Sequence, residues 1–122
     1  PISRSRCDEE GLILYTAGMP SPAWRQMYVR LLRELPGSAA VAHWGDFDEG
    51  GFRISAFLAR AAAEAGKKLV ALSMHPDDIN PSQRRPATDR TIERMVAFAE
   101  QANWHEIAEA IRSARFIAEQ EG

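Results

Sequence analysis

The sequence predicts an α/β fold: a small parallel sheet in a three-layer βαβαβ arrangement, with extra helices at the C-terminus. Two observations predict it. Three short apolar runs alternate with longer segments in which apolar residues recur every three or four positions. Glycine, proline or serine stands at the passages between these segments. Strands that alternate with helices pair in parallel through right-handed crossovers, so we expect one sheet.

The order of elements follows from these runs and their breaks. Residues 1–10 are polar, and we expect an irregular lead-in there. Proline at position 22 suits the first turn of a helix, and Pro36–Gly37 ends it. The predicted elements are strand 12–16, helix 22–35, strand 39–44, helix 51–65, strand 67–73, an irregular stretch over 75–87, and helices 88–101 and 103–119.

The composition is that of an ordinary globular domain. The chain has 122 residues, of which 45% are apolar and 26% charged, and this length fits one domain. The formal net charge of −2 argues against a simple DNA-binding module, because such modules are usually basic. It does not argue against an acidic metal site that meets DNA through Mg²⁺. The single cysteine, Cys7, allows no disulfide within the chain and fits a cytoplasmic setting.

Two aspartates, Asp46 and Asp48, follow the second predicted strand. Ligands of open α/β sheets bind beyond the carboxyl ends of the strands. Residues i and i+2 of an extended chain lie on the same side, so the two carboxylates should converge while Phe47 turns toward the apolar layer. Converging carboxylates repel each other unless a proton or cation lies between them, and Mg²⁺ prefers such oxygens. The alternative is that Asp46 is a turn residue and Asp48 a helix N-cap.

The residues after this pair support a site for a phosphorylated ligand. Gly50–Gly51 lets a backbone or a phosphate approach closely and places a helix N-terminus beside the aspartates.

Segment 44–54, Trp-Gly-Asp-Phe-Asp-Glu-Gly-Gly-Phe-Arg-Ile, resembles the second motif of Toprim domains, the metal-binding fold of topoisomerases, primases and related nucleases. More narrowly, the chain resembles the C-terminal domain of JetD, the nuclease subunit of Wadjet plasmid-defence systems and a relative of the topoisomerase VI A subunit. Segments 15–21 and 119–121 add to this resemblance, which extends from about Leu12 to Glu121.

The resemblance implies DNA cleavage that depends on Mg²⁺ or Mn²⁺. Asp46 and Asp48 take the catalytic, metal-binding roles by motif match, together with a glutamate from an earlier strand. The metals stabilise charge on the scissile phosphate and activate the nucleophile. The implied partners are double-stranded DNA and the other subunits of an SMC-like defence complex, in the cytoplasm.

One departure from the family pattern concerns that earlier glutamate. No residue in 1–11 fits it, since Glu9 and Glu10 precede a strand instead of ending one. We therefore expect residues 1–122 to be a single Toprim-like domain that is a C-terminal fragment, lacks the first Toprim motif and is inactive alone. An unpaired sheet edge where the missing strand belongs would favour a homodimer.

Further candidates lie outside the aspartate pair. The acidic residues Glu119 and Glu121 are either a second acidic group near the metals or a solvated helix end. His43 lies near the end of the same strand; it could touch the metal site, but strand alternation puts it opposite Asp46 and favours a structural or surface role. Four other residues are candidates for phosphate or DNA contacts, with a solvated surface as the alternative for each: Arg53, His75, Arg84 and Arg85.

Two other classes of function remain open on the sequence. The first is a non-catalytic protein- or DNA-interaction module with a degenerate Toprim fold, in which Asp48 serves only as an N-cap. The second is a phosphoryl-transfer fold of the response-regulator or dehalogenase type, which also places aspartates after strands. Such folds need a lysine or Ser/Thr after a later strand, and only Ser73 meets that requirement.

Overall fold

The computed structural model describes residues 2–6, 11–16, 21–37 and 39–118, with side chains described in the last two ranges. It is a mixed α/β fold. Two short 3₁₀ turns, Pro76–Asp78 and Pro81–Gln83, lie between the fourth strand and the third helix. The other elements are β1 (Ile2–Arg6), β2 (Gly11–Thr16), α1 (Pro22–Arg33), β3 (Ala40–His43), α2 (Glu49–Glu64), β4 (Leu69–Ala71), β5 (Arg85–Pro86), α3 (Asp89–Gln101), α4 (His105–Ala114) and β6 (Phe116–Ile117).

The main sheet has the order β1-β2-β3-β4. The pairs β2/β3 and β3/β4 are parallel, as the alternation of strands and helices predicts. β1 pairs antiparallel with β2, so the expectation of an irregular lead-in over 1–10 is wrong for residues 2–6. Because Ser and Arg make up most of that stretch, it lacks an apolar signal, and an edge strand tolerates such polarity. β1 also covers the edge of β2 that we expected to be unpaired.

The helices pack on one face of β3 and β4. Val41 and Leu69 are buried on that face, beneath α2. The alternate positions point the other way, where Val70 and Leu72 are 36% and 42% exposed. The expected three-layer arrangement is therefore not confirmed.

α2 is the central helix, and its composition explains its position. Its small residues allow close approach on two sides, to the sheet and to α3. Its large buried side chains, Phe52 and Leu58, fill the space between these layers. The helix begins at a side-chain cap, where Asp48 accepts a hydrogen bond from the Gly51 backbone N–H.

The end of the chain differs from the prediction of a helix over 103–119. α4 ends at Ala114 because Arg115 adopts a left-handed conformation with φ 59°. β6 then pairs antiparallel with β5. Phe116 is buried, with its ring 5.3 Å from that of Phe47, and this tertiary contact outweighs the local helical pattern. No helix among the described residues has the length and apolar character that crossing a membrane requires.

Candidate metal centre

The predicted aspartate pair lies where adjacent parallel strands end. β3 itself ends at His43, three residues before Asp46, which is earlier than the sequence suggests. Phe47 then forms an isolated bridge with Ala118, and Asp48 precedes the first residue of α2. We call residues 45–51 the acidic loop. It connects the carboxyl end of β3 to the N-terminus of α2, the edge at which ligands of α/β sheets bind.

Phe47 anchors the acidic loop from inside. Its side chain has no exposed surface, and its ring lies 5.4 Å from that of Phe52 in an edge-to-face contact. Asp46 on one side of it is exposed, and Asp48 on the other is half-buried. The predicted inward turn of Phe47 is therefore confirmed, and the carboxylates flank an anchored residue.

Asp48 caps α2, as the alternative interpretation expects. Its Oδ1 accepts a 2.8 Å hydrogen bond from the Gly51 backbone N–H. The cap occupies one acceptor position, and an ionised carboxylate has about four, so capping and cation binding are chemically compatible. The next residue, Glu49, forms an ion pair with Arg94 of α3, 2.9 Å between Oε2 and Nε. That pair offsets one negative charge at the site and ties α2 to α3.

The two glycines of the acidic loop have different roles. A Cβ added to Gly51 would lie 1.9 Å from the carbonyl oxygen of Asp46, so the loop backbone can lie there only because Gly51 has no side chain. A Cβ on Gly50 would meet the Asp48 Oδ1 at 3.6 Å, an ordinary contact. Gly51 thus permits the predicted close approach of a backbone, and that backbone is the loop's own.

A buried polar pair lies beneath the loop. His43 is 3% exposed, and its Nδ1 lies 2.9 Å from the Oγ of Ser55 on α2. Burial lowers the pKa of His43 to about 4, because the charged imidazolium would lose its hydration. The predicted structural role of His43 agrees with this placement. Sequence reasoning missed Ser55, although a serine on the buried face of an alanine-rich helix is a usable signal.

The last described residue of the chain lies directly beside the acidic loop. The Phe47 N–H donates to the Ala118 carbonyl at 2.9 Å, and the Ala118 N–H donates to the Phe47 carbonyl at the same distance. Glu119 follows Ala118 in the sequence. The predicted acidic candidates Glu119 and Glu121 both lie outside the described residues.

His75, predicted to contact phosphate, belongs to a loop that closes on itself after β4. Its backbone N–H donates to the Asp78 Oδ2 at 3.2 Å, and its Nδ1 accepts from the Asp77 N–H at 3.1 Å. These contacts form a reciprocal cap on the short turn at Pro76–Asp78. The Nδ1 of His75 and the carboxylate of Asp78 therefore serve the local backbone.

The three candidate arginines differ in their surroundings. The Arg84 guanidinium donates to the carbonyls of Ile79 and Pro76 at 3.0 and 3.3 Å, and lies over the Phe116 ring, 4.5 Å from its centre. Arg53 on α2 and Arg85 on β5 are exposed. The structure thus gives Arg84 a structural task and leaves the side chains of Arg53 and Arg85 at the surface.

Across the two ranges with described side chains, no group of three or more His, Cys, Asp or Glu residues could hold a metal ion. Two carboxylates with retained waters still match a Mg²⁺ site, since this ion is commonly bound through one or two carboxylates. The donor chemistry of Asp46 and Asp48 is of the kind that Mg²⁺ prefers, and the half-site for this ion stays a prediction.

Comparison with known proteins gives one match. The family model described as Wadjet protein JetD, C-terminal, matches residues 4–121. No curated protein and no solved structure matches the chain.

Proposed function

This chain belongs to the Wadjet JetD C-terminal family, and we propose that it is the Toprim-type, Mg²⁺-dependent DNA-cleavage domain of a plasmid-defence nuclease subunit. The observation that carries the proposal is the acidic loop. It presents an exposed and a half-buried aspartate around one buried phenylalanine, at the carboxyl edge of parallel strands. The chemistry we assign to the domain is hydrolytic or transesterifying cleavage of a phosphodiester in double-stranded DNA.

The aspartates of the acidic loop suit a cation, and its glycines, at the start of α2, suit an anion. Asp46 and Asp48 would hold Mg²⁺ or Mn²⁺, and the cation would offset their mutual repulsion. The first turn of α2, which contains Gly50 and Gly51, has backbone N–H groups and a positive dipole end that favour a phosphate. When bound, the metal supplies charge stabilisation at the scissile phosphate and activation of the nucleophile.

Additional acidic ligands are part of the proposal. The double hydrogen bond between Phe47 and Ala118 supports a role for Glu119, the next residue in the sequence, and Glu121 is the second candidate. A further glutamate, which the family resemblance places on an earlier strand, would come from a longer polypeptide. We therefore propose that residues 1–122 alone are an incomplete and inactive site.

The proposed partners are double-stranded DNA and the other subunits of an SMC-like defence complex. Exposed Arg53, on the first turns of α2, and Arg85 are the proposed phosphate contacts, with His75 as a third. Association with a second copy of the chain stays a prediction; β1 covers the edge of β2 and is itself an edge strand of the sheet.

The test is calorimetric titration of Mg²⁺ and Mn²⁺ into the chain and into Asp46→Asn and Asp48→Asn. Asparagine is as good an N-cap as aspartate, so Asp48→Asn removes a charge while keeping the start of α2. Asp77→Asn in the neighbouring loop is the matched control, since Asp77 is 90% exposed. We expect saturable binding that the two loop variants lose and the control retains.

The same titration on a longer polypeptide of this family, followed by plasmid cleavage, completes the test. Binding that survives both loop substitutions would refute the assignment of the site. Absence of binding in the longer polypeptide would refute metal-dependent cleavage altogether.

A second candidate is a non-catalytic interaction module with a degenerate Toprim fold. Two observations favour it: Asp48 already caps α2, and the described residues bring no third ligand to the pair. It predicts that no cation binds even in the longer polypeptide and that Asp46→Asn leaves partner binding unchanged. Plasmid cleavage that requires Asp46 would exclude it.

A further inference from the structure

The buried pair beneath the acidic loop has no role in the function proposed so far. Among the described residues, His43 and Ser55 are the buried side chains that are neither aliphatic nor aromatic hydrophobic residues. Burying a hydroxyl and an imidazole is costly unless both are hydrogen-bonded, so each contact that they make must offset that cost. Their contacts lead to the two glycines on which the loop rests.

Hydrogen-bond chemistry fixes the proton positions in this pair. The Ser55 Oγ lies 3.0 Å from the carbonyl oxygen of Gly51, which can only accept, and 3.8 Å from the Met74 sulfur, a weak acceptor. The single hydroxyl proton therefore goes to Gly51. In the 2.9 Å contact with His43, the proton must then come from Nδ1. This arrangement favours a neutral His43 imidazole that carries its proton on Nδ1.

The chain of hydrogen bonds from His43 through Ser55 to Gly51 contacts the acidic loop at both ends of that chain. At the imidazole end, a Cβ added to Gly45 would lie 3.1 Å from the Cε1 of His43 and 3.3 Å from its Nε2, so the Gly45 backbone lies against the ring edge. At the carbonyl end, Gly51 lies directly under the Asp46 backbone, whose oxygen would be 1.9 Å from an added Cβ. The backbone around Asp46 therefore packs against the His43 ring at Gly45 and against Gly51 at the carbonyl of Asp46.

We propose that His43 and Ser55 are positioning residues: their relay, from His43 Nδ1–H through the Ser55 hydroxyl to the Gly51 carbonyl, sets the backbone that orients the Asp46 carboxylate. The ligand in this proposal, a divalent cation, rests on the proposed function. The relay itself rests on geometry alone. Neither side chain touches the cation. Their effect passes through the backbone at Gly45 and Gly51, as outer-shell partners orient the ligands of metal sites.

The test uses four variants of this chain. Ser55→Ala removes the acceptor of the Nδ1 proton, and His43→Leu removes the donor. His43→Asn retains an N–H donor near the position of Nδ1, and serves as the conservative variant. Val96→Ala, in the buried face of α3, is a control that weakens the core without touching the relay.

Two readouts are measured on each folded variant. The first is nitrogen-15 NMR, which reports the amide shifts of the acidic loop in every variant and the His43 tautomer in those that retain this histidine. The second is the Mn²⁺ dissociation constant. We expect the Nδ1–H tautomer, and amide shifts at Asp46 and Gly51 that change in Ser55→Ala and His43→Leu but not in Val96→Ala. We expect Mn²⁺ binding about 10–100-fold weaker in the same two variants, the size of effect typical of outer-shell partners, with His43→Asn nearer the unmutated chain.

The outcomes separate this inference from the proposed function. An Nε2–H tautomer, or loop shifts in Ser55→Ala no larger than in Val96→Ala, overturns the relay. An unmutated chain that binds no Mn²⁺ counts against the proposed metal site, while the tautomer and the loop shifts still decide the relay. If Ser55→Ala does not fold, His43→Asn compared with His43→Leu gives the same decision.

Discussion

Two loops begin at the same edge of the sheet and contain similar residues, but these residues have different structural roles. The acidic loop follows β3, and the loop over residues 72–84 follows the adjacent parallel strand β4. Each contains two aspartates; His43 lies just before the acidic loop, and His75 lies within the second loop. In the acidic loop, support comes from the core through His43 and from the chain end through Ala118. In the second loop, His75 and Asp78 cap each other, so support is local.

The difference shows that residue type does not decide what a polar loop does. Backbone groups of a short 3₁₀ turn have few intrahelical partners, so nearby side chains must satisfy them. The side chains of Asp78 and His75 meet that local need. The acidic loop instead leads into a 16-residue helix whose N-cap is Asp48, so in this loop one of the two aspartates has a defined capping task.

The largest expected effect tests the close approach that defines the acidic loop. Gly51→Ala would place a Cβ against the Asp46 carbonyl, and since a backbone atom cannot move aside cheaply, we expect a loss of about 3 kcal/mol in the free energy of unfolding. Urea denaturation measures it.

Gly50→Ala is the matched control for that substitution. Its added Cβ meets only ordinary contacts, and alanine is a better helix former than glycine by up to about 1 kcal/mol, so we expect an unchanged or slightly raised stability. Equal losses in the two variants would contradict the account of the loop.

The second prediction concerns the histidine beside each loop. The pKa of His43 is lowered from 6.5 to about 4 in the folded state, so the unfolded chain binds a proton more tightly. The contribution of the neutral, buried His43 to the free energy of unfolding is complete above about pH 6.5. It is lost as the pH falls toward 4, and the loss levels off there. A shift of this size corresponds to about 3 kcal/mol.

Denaturation between pH 7 and 4 checks this sign and size. His43→Asn should remove that part of the slope, whereas His75→Asn should leave it in place. A slope that persists in His43→Asn would assign the pH dependence to the carboxylates and not to the buried imidazole.

The sequence predicted the acidic loop better than the elements around it. Asp46, Asp48 and the double glycine form a local pattern, so their place after a parallel strand follows from strand order alone. Burial of Ser55 could be read from its place on an alanine-rich helix face, but its pairing became visible only in three dimensions, because its partner His43 lies twelve positions earlier on another element. The prediction of where α4 ends was wrong for the same reason. Phe116 continues the helical pattern locally, but its contacts with distant residues favour a strand.

Arg84 sharpens the comparison with a smaller effect. Its guanidinium closes the second loop by bonding two backbone carbonyls and lying over Phe116, a planar geometry that lysine cannot reproduce. We expect Arg84→Lys to cost about 1–2 kcal/mol, measured by urea denaturation, and Arg85→Lys, at an exposed position, to cost nothing measurable. If Arg84 contacts DNA instead, its replacement should weaken DNA binding without lowering stability.

The smallest expected effect lies in the carboxylate of the second loop. Asp78→Asn keeps an oxygen that can accept from the His75 N–H, so its loss of stability should be under about 0.5 kcal/mol, while Asp78→Ala should lose about 1 kcal/mol. Neither substitution should change the affinity for Mn²⁺, because the Asp78 carboxylate hydrogen-bonds to the backbone of its own loop. Metal binding that weakens in Asp78→Asn as much as in Asp46→Asn would mean that the two loops act as one site. The contrast between local capping and support from the core would then describe how the loops fold and not how they function.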